Sequence, residues 1–417
     1  MNDKKELSMQ KNMLYNTVGT ITYYFCQWVL TVLIVRISGL EIAGYFSLAT
    51  TFTAAPAILA LFNFRSYQVS DLENRFSDRV YVAARIVTCI LSMLVCLAAA
   101  WLYKYDAMRI SIIMAYMLLK AAEGFVDVYY GIDQKKARMD IICYSSVIRG
   151  FGCVAMFLLG ILVFDNLLVG ILLMVAFSVV VIVCYDMCVT SKFFDNNKKI
   201  DMASIKSVII TCLPLAAVAF LNNYSISVPR IFLERYAGSE IMAAYTSVSS
   251  PTVVIQLAAT TLFAPFVTPL TAVYVKGDKK GFADILKKMG ILVLGASVLC
   301  LVLAKLLGNW GLVLIFGNDI KDYTYLFVAV VVLSILIGIN ASLFSICTLQ
   351  RVMLPQLVIG ITGMAISFIS SIILVKKYEM EGVIIATFLT LLVQIAIQAV
   401  IVFVKWKSMK METEENI

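Results

Sequence analysis

Apolar residues in this chain come in long runs rather than in the short alternations of a half-buried sheet. Twelve runs of about twenty residues are predominantly apolar. They lie near 14–37, 42–62, 81–103, 108–130, 141–164, 167–189, 207–229, 240–264, 287–306, 323–347, 357–375 and 383–404. About 20 apolar residues wound as a helix span the hydrocarbon of a bilayer, so each run predicts a transmembrane helix. The first run is too long for the apolar part of a cleaved signal peptide, and no small-residue cleavage site follows it. The longest gap between runs, 265–286, leaves no room for a soluble domain. The pattern predicts an all-α integral membrane protein of about twelve transmembrane helices.

Composition agrees. Of 417 residues, 61% are hydrophobic and 14% charged, against about 25% charged in a typical soluble domain. With the N-terminus inside, and the two residues at each end of a run counted with its flank, the cytoplasmic segments hold 22 Lys and Arg, the outer segments hold 9, and 3 fall deeper within the runs. That asymmetry satisfies the positive-inside rule and places both termini in the cytoplasm. The net charge of +8 then reflects topology and contact with anionic lipid heads, and calls for no nucleic-acid partner.

One short pattern occurs twice. "RISGLEIAGY" (36–45) and "RYAGSEIMAAY" (235–245) share Arg, two residues, Gly, one residue, Glu-Ile, small residues and Tyr. The first lies between runs one and two, the second between runs seven and eight. An offset of six crossings preserves orientation, so the halves are expected to be parallel repeats, residues 1–206 and 207–417. The small residues suit tight outer turns.

Chemistry is sparse. There is no His, and no P-loop, zinc motif or nucleophile elbow. All ten Cys fall in or beside apolar runs, where a thiol acts as a small hydrophobe. Cys184 and Cys188 share a helix face, but two thiols alone make a poor metal site. Asn223-Tyr-Ser and Asn340-Ala-Ser match the glycosylation pattern inside predicted helices. No metal or cofactor is expected.

Ionisable residues inside a membrane are costly and mark function or compensating pairs. In "YMLLKAAEGFVDVYYG", Lys120, Glu123 and Asp127 recur on one helical face. They are read as a self-neutralising network, as a lumen lining, or as both. Glu123 and Asp127 are also the candidates for an ion-coupling or charge-network role. Arg149 lies about two turns into run five and could approach either carboxylate. Asn16, Thr20, Tyr23, Gln27 and Thr31 draw a polar stripe down run one, facing either a cavity or a neighbouring helix. Run seven carries Pro214 and Pro229 around Asn222, Asn223, Ser225 and Ser227, a pattern of a kinked helix or of a broken transporter helix. The inner segment "FNFRSYQVSDLENRFSDR" gathers Arg65, Tyr67, Gln68, Ser70 and Asp71. It is either a solvated loop or a mouth where Arg65 offers a donor fork suited to phosphate.

Several segments resemble one family. "RISGLEIAGYFSL", "FRSYQVSD", "PLAAVAFLNNYSISVPRIFLERYAGSEIMAAY", "LFAPFVTPLTAVYVKGDKKGF", "LVLIFGNDIKDY" and "YEMEGVIIAT" are similar, in order and placement, to segments of polysaccharide flippases. These are the O-antigen and capsule repeat-unit branch of the multidrug/oligosaccharidyl-lipid/polysaccharide exporter superfamily. The resemblance implies two six-helix bundles around a central lumen in a bacterial cytoplasmic membrane. It implies export of an undecaprenyl-pyrophosphate-linked oligosaccharide from the inner to the outer leaflet by alternating access. A polysaccharide polymerase and other assembly proteins are the implied partners, besides membrane lipids. The lumen candidates are Gln27, Arg65, Gln68, Lys120, Arg149, Asn222 and Asn223. Family lumens are often cationic, whereas here Glu123 and Asp127 dilute the charge. A drug exporter of the same superfamily is the first alternative. A membrane polymerase or glycosyltransferase is the second, disfavoured because the outer loop 305–322 is short and carries only Asp319 and Asp322.

Overall fold

A computed structural model describes residues 7–71, 75–194, 201–350 and 352–409. The terminal segments used in the topology reading, 1–6 and 410–417, lie outside the described residues. Among the described residues there is no strand. The chain divides into two compact units, Met1–Asn223 and Tyr224–Ile417.

In the first unit, α1 (Met9–Leu61) is followed by the short α2 (Phe64–Ser70), α3 (Asp78–Leu102), α4 (Ala107–Lys135), α5 (Met139–Phe164) and α6 (Leu167–Val181). A π-helical turn, Ile182–Met187, carries α6 into α7 (Cys188–Thr190). Next comes α8 (Met202–Ala237), whose last residues belong to the second unit. The second unit continues with α9 (Ser239–Ser249), α10 (Val253–Val275), α11 (Lys279–Phe316), α12 (Phe327–Leu349), α13 (Met353–Ser370) and α14 (Lys376–Lys407). All twelve predicted runs fall on helical segments. Among the described residues, eight helical segments are long and apolar enough to cross a membrane.

Part of the difference between twelve runs and eight helices lies in α1, which holds two runs, as the continuous segment Leu354–Lys407 also does. At about 1.5 Å per residue, the 53 residues of α1 would extend about 80 Å as a straight rod. The chain reverses instead at Gly39, where φ is 75° and ψ is −179°. Gly238, between α8 and α9, has φ 89° and ψ 175°. Both lie in a region open essentially to glycine alone. The twice-written motif is thus one backbone device used twice, and each copy also presents its Tyr to an arginine. Arg109 lies 5.2 Å from the Tyr45 ring centre, and Arg230 lies 5.7 Å from that of Tyr245. A Cβ at either glycine would meet no atom within 4 Å, so the constraint is purely torsional. Gly39→Ala and Gly238→Ala should each cost about 1–3 kcal/mol, measured as lowered thermal stability in detergent. Unchanged stability in both would remove the turn assignment.

Three further expectations shift. The gap 265–286 shrinks to a turn at Lys276–Asp278, because α10 runs to Val275 and α11 begins at Lys279. The outer loop predicted from residue 305 is helical to Phe316 and then forms a 3-10 segment, Asn318–Leu326. Neither Pro214 nor Pro229 ends α8, which is helical throughout.

The helices of the first unit assemble around α1, which packs on α3, α4 and α5. At one end, Phe62 and Phe64 join Tyr81, Val128 and Tyr129 in a core completed by Ile205, Val208, Cys212 and Ala216 of α8. In the second unit, Leu270, Phe282, Met289, Ile346, Cys347 and Val402 form a core from α10, α11, α12 and α14. Large apolar side chains such as Leu94, Trp101, Leu162, Leu294 and Trp310 remain exposed. A lipid-facing surface requires them, since hydrocarbon exerts no hydrophobic penalty.

Candidate functional site

The first unit carries a belt of buried and half-buried charge on α2, α3, α4, α5 and the π turn. Four cations (Arg65, Arg85, Lys120 and Arg149) and four carboxylates (Glu123, Asp127, Asp133 and Asp186) lie along it. Each needs a partner, because an isolated charge away from water is costly.

Lys120 and Glu123, one turn apart on α4, form an ion pair at 2.9 Å. Glu123 also accepts hydrogen bonds from the Tyr23 hydroxyl at 2.5 Å and from Gln27 Nε2 at 3.2 Å. The polar stripe of run one therefore faces another helix at these two positions. The Lys120 ammonium lies 5.5 Å from the Tyr116 ring centre. The pair is half-buried, with side-chain exposures of 17% and 20%.

Asp127 belongs to a second cluster. It accepts from Arg85 Nη2 at 2.9 Å and from Arg65 Nη1 at 3.4 Å. Arg65 Nε also donates to Gln134 Oε1 at 2.9 Å. Arg65 is 27% exposed at its side chain, whereas Arg85 is sealed. The Arg85 guanidinium donates to the carbonyls of Ala60, at 2.8 Å, and Leu61. These carbonyls belong to the last turn of α1, where the helix has no donors of its own to offer.

Arg149 pairs with neither Glu123 nor Asp127 of α4. Its guanidinium lies between two tyrosine rings, 5.4 Å from the centre of Tyr23 and 5.6 Å from that of Tyr130, and Nη2 donates to the Tyr130 hydroxyl at 2.6 Å. That oxygen lies 2.7 Å from Ser145 Oγ, which donates to Asp186 Oδ2 at 3.0 Å. Farther along α4, Asp133 accepts from the Thr190 hydroxyl at 3.0 Å.

Among the predicted site residues, the fold thus joins Gln27, Lys120 and Glu123 in one cluster and Arg65 and Asp127 in another. Arg149 stands behind Tyr23. Gln68 is wholly buried and pressed so closely on Gly131 that a Cβ there would overlap its side-chain oxygen. Asn222 and Asn223 lie on α8, where Asn223 donates to the Ala219 carbonyl of its own helix at 3.1 Å. Sequence reasoning did not single out Arg85, Tyr130, Asp133, Ser145 or Asp186. Arg85 had a usable signal, being a cation within an apolar run. Asp186 had one too, as an acid inside run six. In the second unit, buried neutral groups pair with one another. Asn340 donates to Gln394 at 3.3 Å and accepts from Gln398 at 3.2 Å, while Ser367 donates to the Ser225 carbonyl at 2.5 Å. No cluster of three metal-ligating side chains occurs among the described residues, and Cys184 and Cys188 are separate free thiols.

Residues 9–275 match the family model described as "Polysaccharide biosynthesis protein". The capsular polysaccharide biosynthesis protein CapF of Staphylococcus aureus is 24% identical over 316 residues, which are 75% of this chain and 78% of CapF. Among solved structures, the eukaryotic MATE transporter AtDTX14 superposes with a TM-score of 0.66 at 15% identity, covering 96% of this chain and 97% of its own. A mutant of the Vibrio cholerae MATE transporter VcmN superposes with a TM-score of 0.63 at 12% identity, covering 95% of each chain. With more than half of its length matched to that family and a fold shared with transporters, this chain is a multi-pass membrane protein belonging to the polysaccharide biosynthesis protein family.

Proposed function

We propose that this protein is a flippase. It moves undecaprenyl-pyrophosphate-linked oligosaccharide repeat units from the inner to the outer leaflet of a bacterial cytoplasmic membrane, by alternating access between bundles 1–206 and 207–417. The observation that carries this reading is the union, in one chain, of polysaccharide-biosynthesis family membership and a transporter fold. Only the polar head of such a substrate must cross, while its tail stays in lipid. A wet groove lined by Arg65 and Lys120, the partly exposed cations of the belt, suits the pyrophosphate. Gln27, Asn222 and Asn223 would offer hydrogen bonds to sugar, and Gln68 and Arg149 support the site from buried positions. Moving an anion outward gains about 2.3 kcal/mol per elementary charge per 100 mV of inside-negative potential. The near balance of cations and carboxylates fits a repeat unit of low charge. A polysaccharide polymerase and other assembly proteins would take the product.

Deletion in the host should accumulate lipid-linked repeat units on the inner leaflet and abolish surface polysaccharide. Purified protein in liposomes should flip a fluorescent polyprenyl-pyrophosphate N-acetylglucosamine. Arg149→Ala should reduce export more than Arg149→Lys at matched protein levels. Intact surface polysaccharide together with a gain in drug susceptibility would favour drug export instead.

A further inference from the structure

One line of hydrogen bonds in the first unit has a fixed direction. Ser145 Oγ carries a single proton, and the carboxylate of Asp186 can only accept, so Ser145 donates to Asp186. The bond between Tyr130 and Ser145 must then run from the Tyr130 hydroxyl to Ser145. The Tyr130 oxygen then accepts from Arg149 Nη2 at 2.6 Å, with Ser146 as a further side-chain hydrogen-bond partner. The order is therefore Arg149 to Tyr130 to Ser145 to Asp186, with a cation at one end and a carboxylate at the other. Arg149 is 3% exposed, Tyr130 6%, and Ser145 and Asp186 0%, so water does not compete for these bonds.

Two further observations give the line a purpose. Among the described residues, Arg149 Nε and Nη1 are buried with no hydrogen-bond partner, and so is Asp186 Oδ1. The chain has left donor capacity on Arg149 unspent while investing two hydroxyls in orienting it. Asp186 also sits in the π turn Ile182–Met187. Extra residues per turn, common at functional positions, accompany the burial of Asp186 beside the exposed Val183 and Cys184. Beyond Arg149 the line continues. The guanidinium rests on the ring of Tyr23, and the Tyr23 hydroxyl holds Glu123 at 2.5 Å, next to Lys120.

We infer that Asp186 is a positioning residue for the headgroup site. Through Ser145 and Tyr130 it fixes the orientation of Arg149, and through the Tyr23 ring that orientation sets the Lys120–Glu123 pair. An amide at position 186 can donate as well as accept, so Asp186→Asn removes the constraint on proton direction and frees the guanidinium. Tyr130→Phe keeps the ring under Arg149 but deletes the acceptor, and should have the same effect.

The test has two readouts, because the transport readout rests on the flippase reading. The first is rotation of the Arg149 guanidinium, followed by NMR of arginine-labelled protein and assigned by the resonance that Arg149→Lys removes. Rotation should be hindered in the wild type and in the Asp140→Asn control, whose carboxylate pairs instead with Arg138 at 2.7 Å. It should be free in Asp186→Asn and Tyr130→Phe. Hindered rotation persisting in Asp186→Asn overturns the inference. The second readout is flipping of the fluorescent polyprenyl-pyrophosphate N-acetylglucosamine. Asp186→Asn and Tyr130→Phe should raise KM about tenfold or more, the scale of one lost charge-assisted hydrogen bond, with turnover changed far less. Asp186→Asn should cost nothing further in an Arg149→Ala background, because contacting groups in one network are non-additive. An additive double mutant overturns the relay. A wild type that flips no probe overturns the flippase reading and leaves the guanidinium measurement to decide the relay.

Discussion

Arg85→Met should be the most destabilising single substitution in the first unit, lowering the stability of the detergent-solubilised protein by about 3–5 kcal/mol. The side chain is fully buried, and three acceptors depend on it. Asp127 would lose its 2.9 Å partner and keep only Arg65 at 3.4 Å. The Leu61 carbonyl would lose its Arg85 donor, and the Ala60 carbonyl would keep only the Thr88 hydroxyl at 3.1 Å. The ring of Phe64 would lose the guanidinium 5.2 Å from its centre. Arg85→Lys should rescue only part of the loss, because one ammonium cannot reproduce a planar fork that spans a carboxylate and two carbonyls. Arg65→Ala should cost far less, since a pair that is over a quarter exposed on the arginine side contributes little. Adding Asp127→Asn to Arg85→Met should recover stability by removing the stranded charge. Thermal unfolding of the four variants checks the series. Equal stability of Arg85→Met and wild type would mean that the cluster does not hold the end of α1.

The second large effect is on transport rather than on folding. Lys120→Met and Glu123→Gln, made singly, should each lower stability, the first by leaving a carboxylate without its cation. Made together, they should restore folding while flipping falls by about tenfold or more, a loss of one charge-assisted contact in the transport cycle. Glu123→Gln still accepts from Tyr23 and Gln27, so the scaffold around the pair survives and the loss is specific to charge. Protein levels must be matched before rates are compared. Full transport by the double variant would make the pair a structural element only.

Charge pairing separates the roles of residues that look alike in sequence. Lys120, Glu123 and Asp127 share one face of α4, which suggested one network. The fold divides them between Lys120–Glu123 and Asp127–Arg85–Arg65. The division is made by other helices. Tyr23 and Gln27 of α1 reach Glu123, whereas α3 brings Arg85 to Asp127.

The sequence by itself determined the helical class, the twelve apolar runs and the twice-used glycine turn. Each of these is local. Hydrophobic length sets a span, and a residue that must adopt positive φ beside an extended ψ has to be glycine, so Gly39 and Gly238 were legible. The sequence also placed Lys120 and Arg149 as cations inside apolar runs, and Arg85 was legible there in the same way. Their partners were decided by tertiary structure alone, because they come from helices far apart in the chain. Tyr23 lies 100 residues from Glu123, and Ser145 lies 41 from Asp186. Periodicity fixes which face of one helix carries a charge. It says nothing about which neighbour that face meets, and a buried charge is defined by the neighbour that satisfies it.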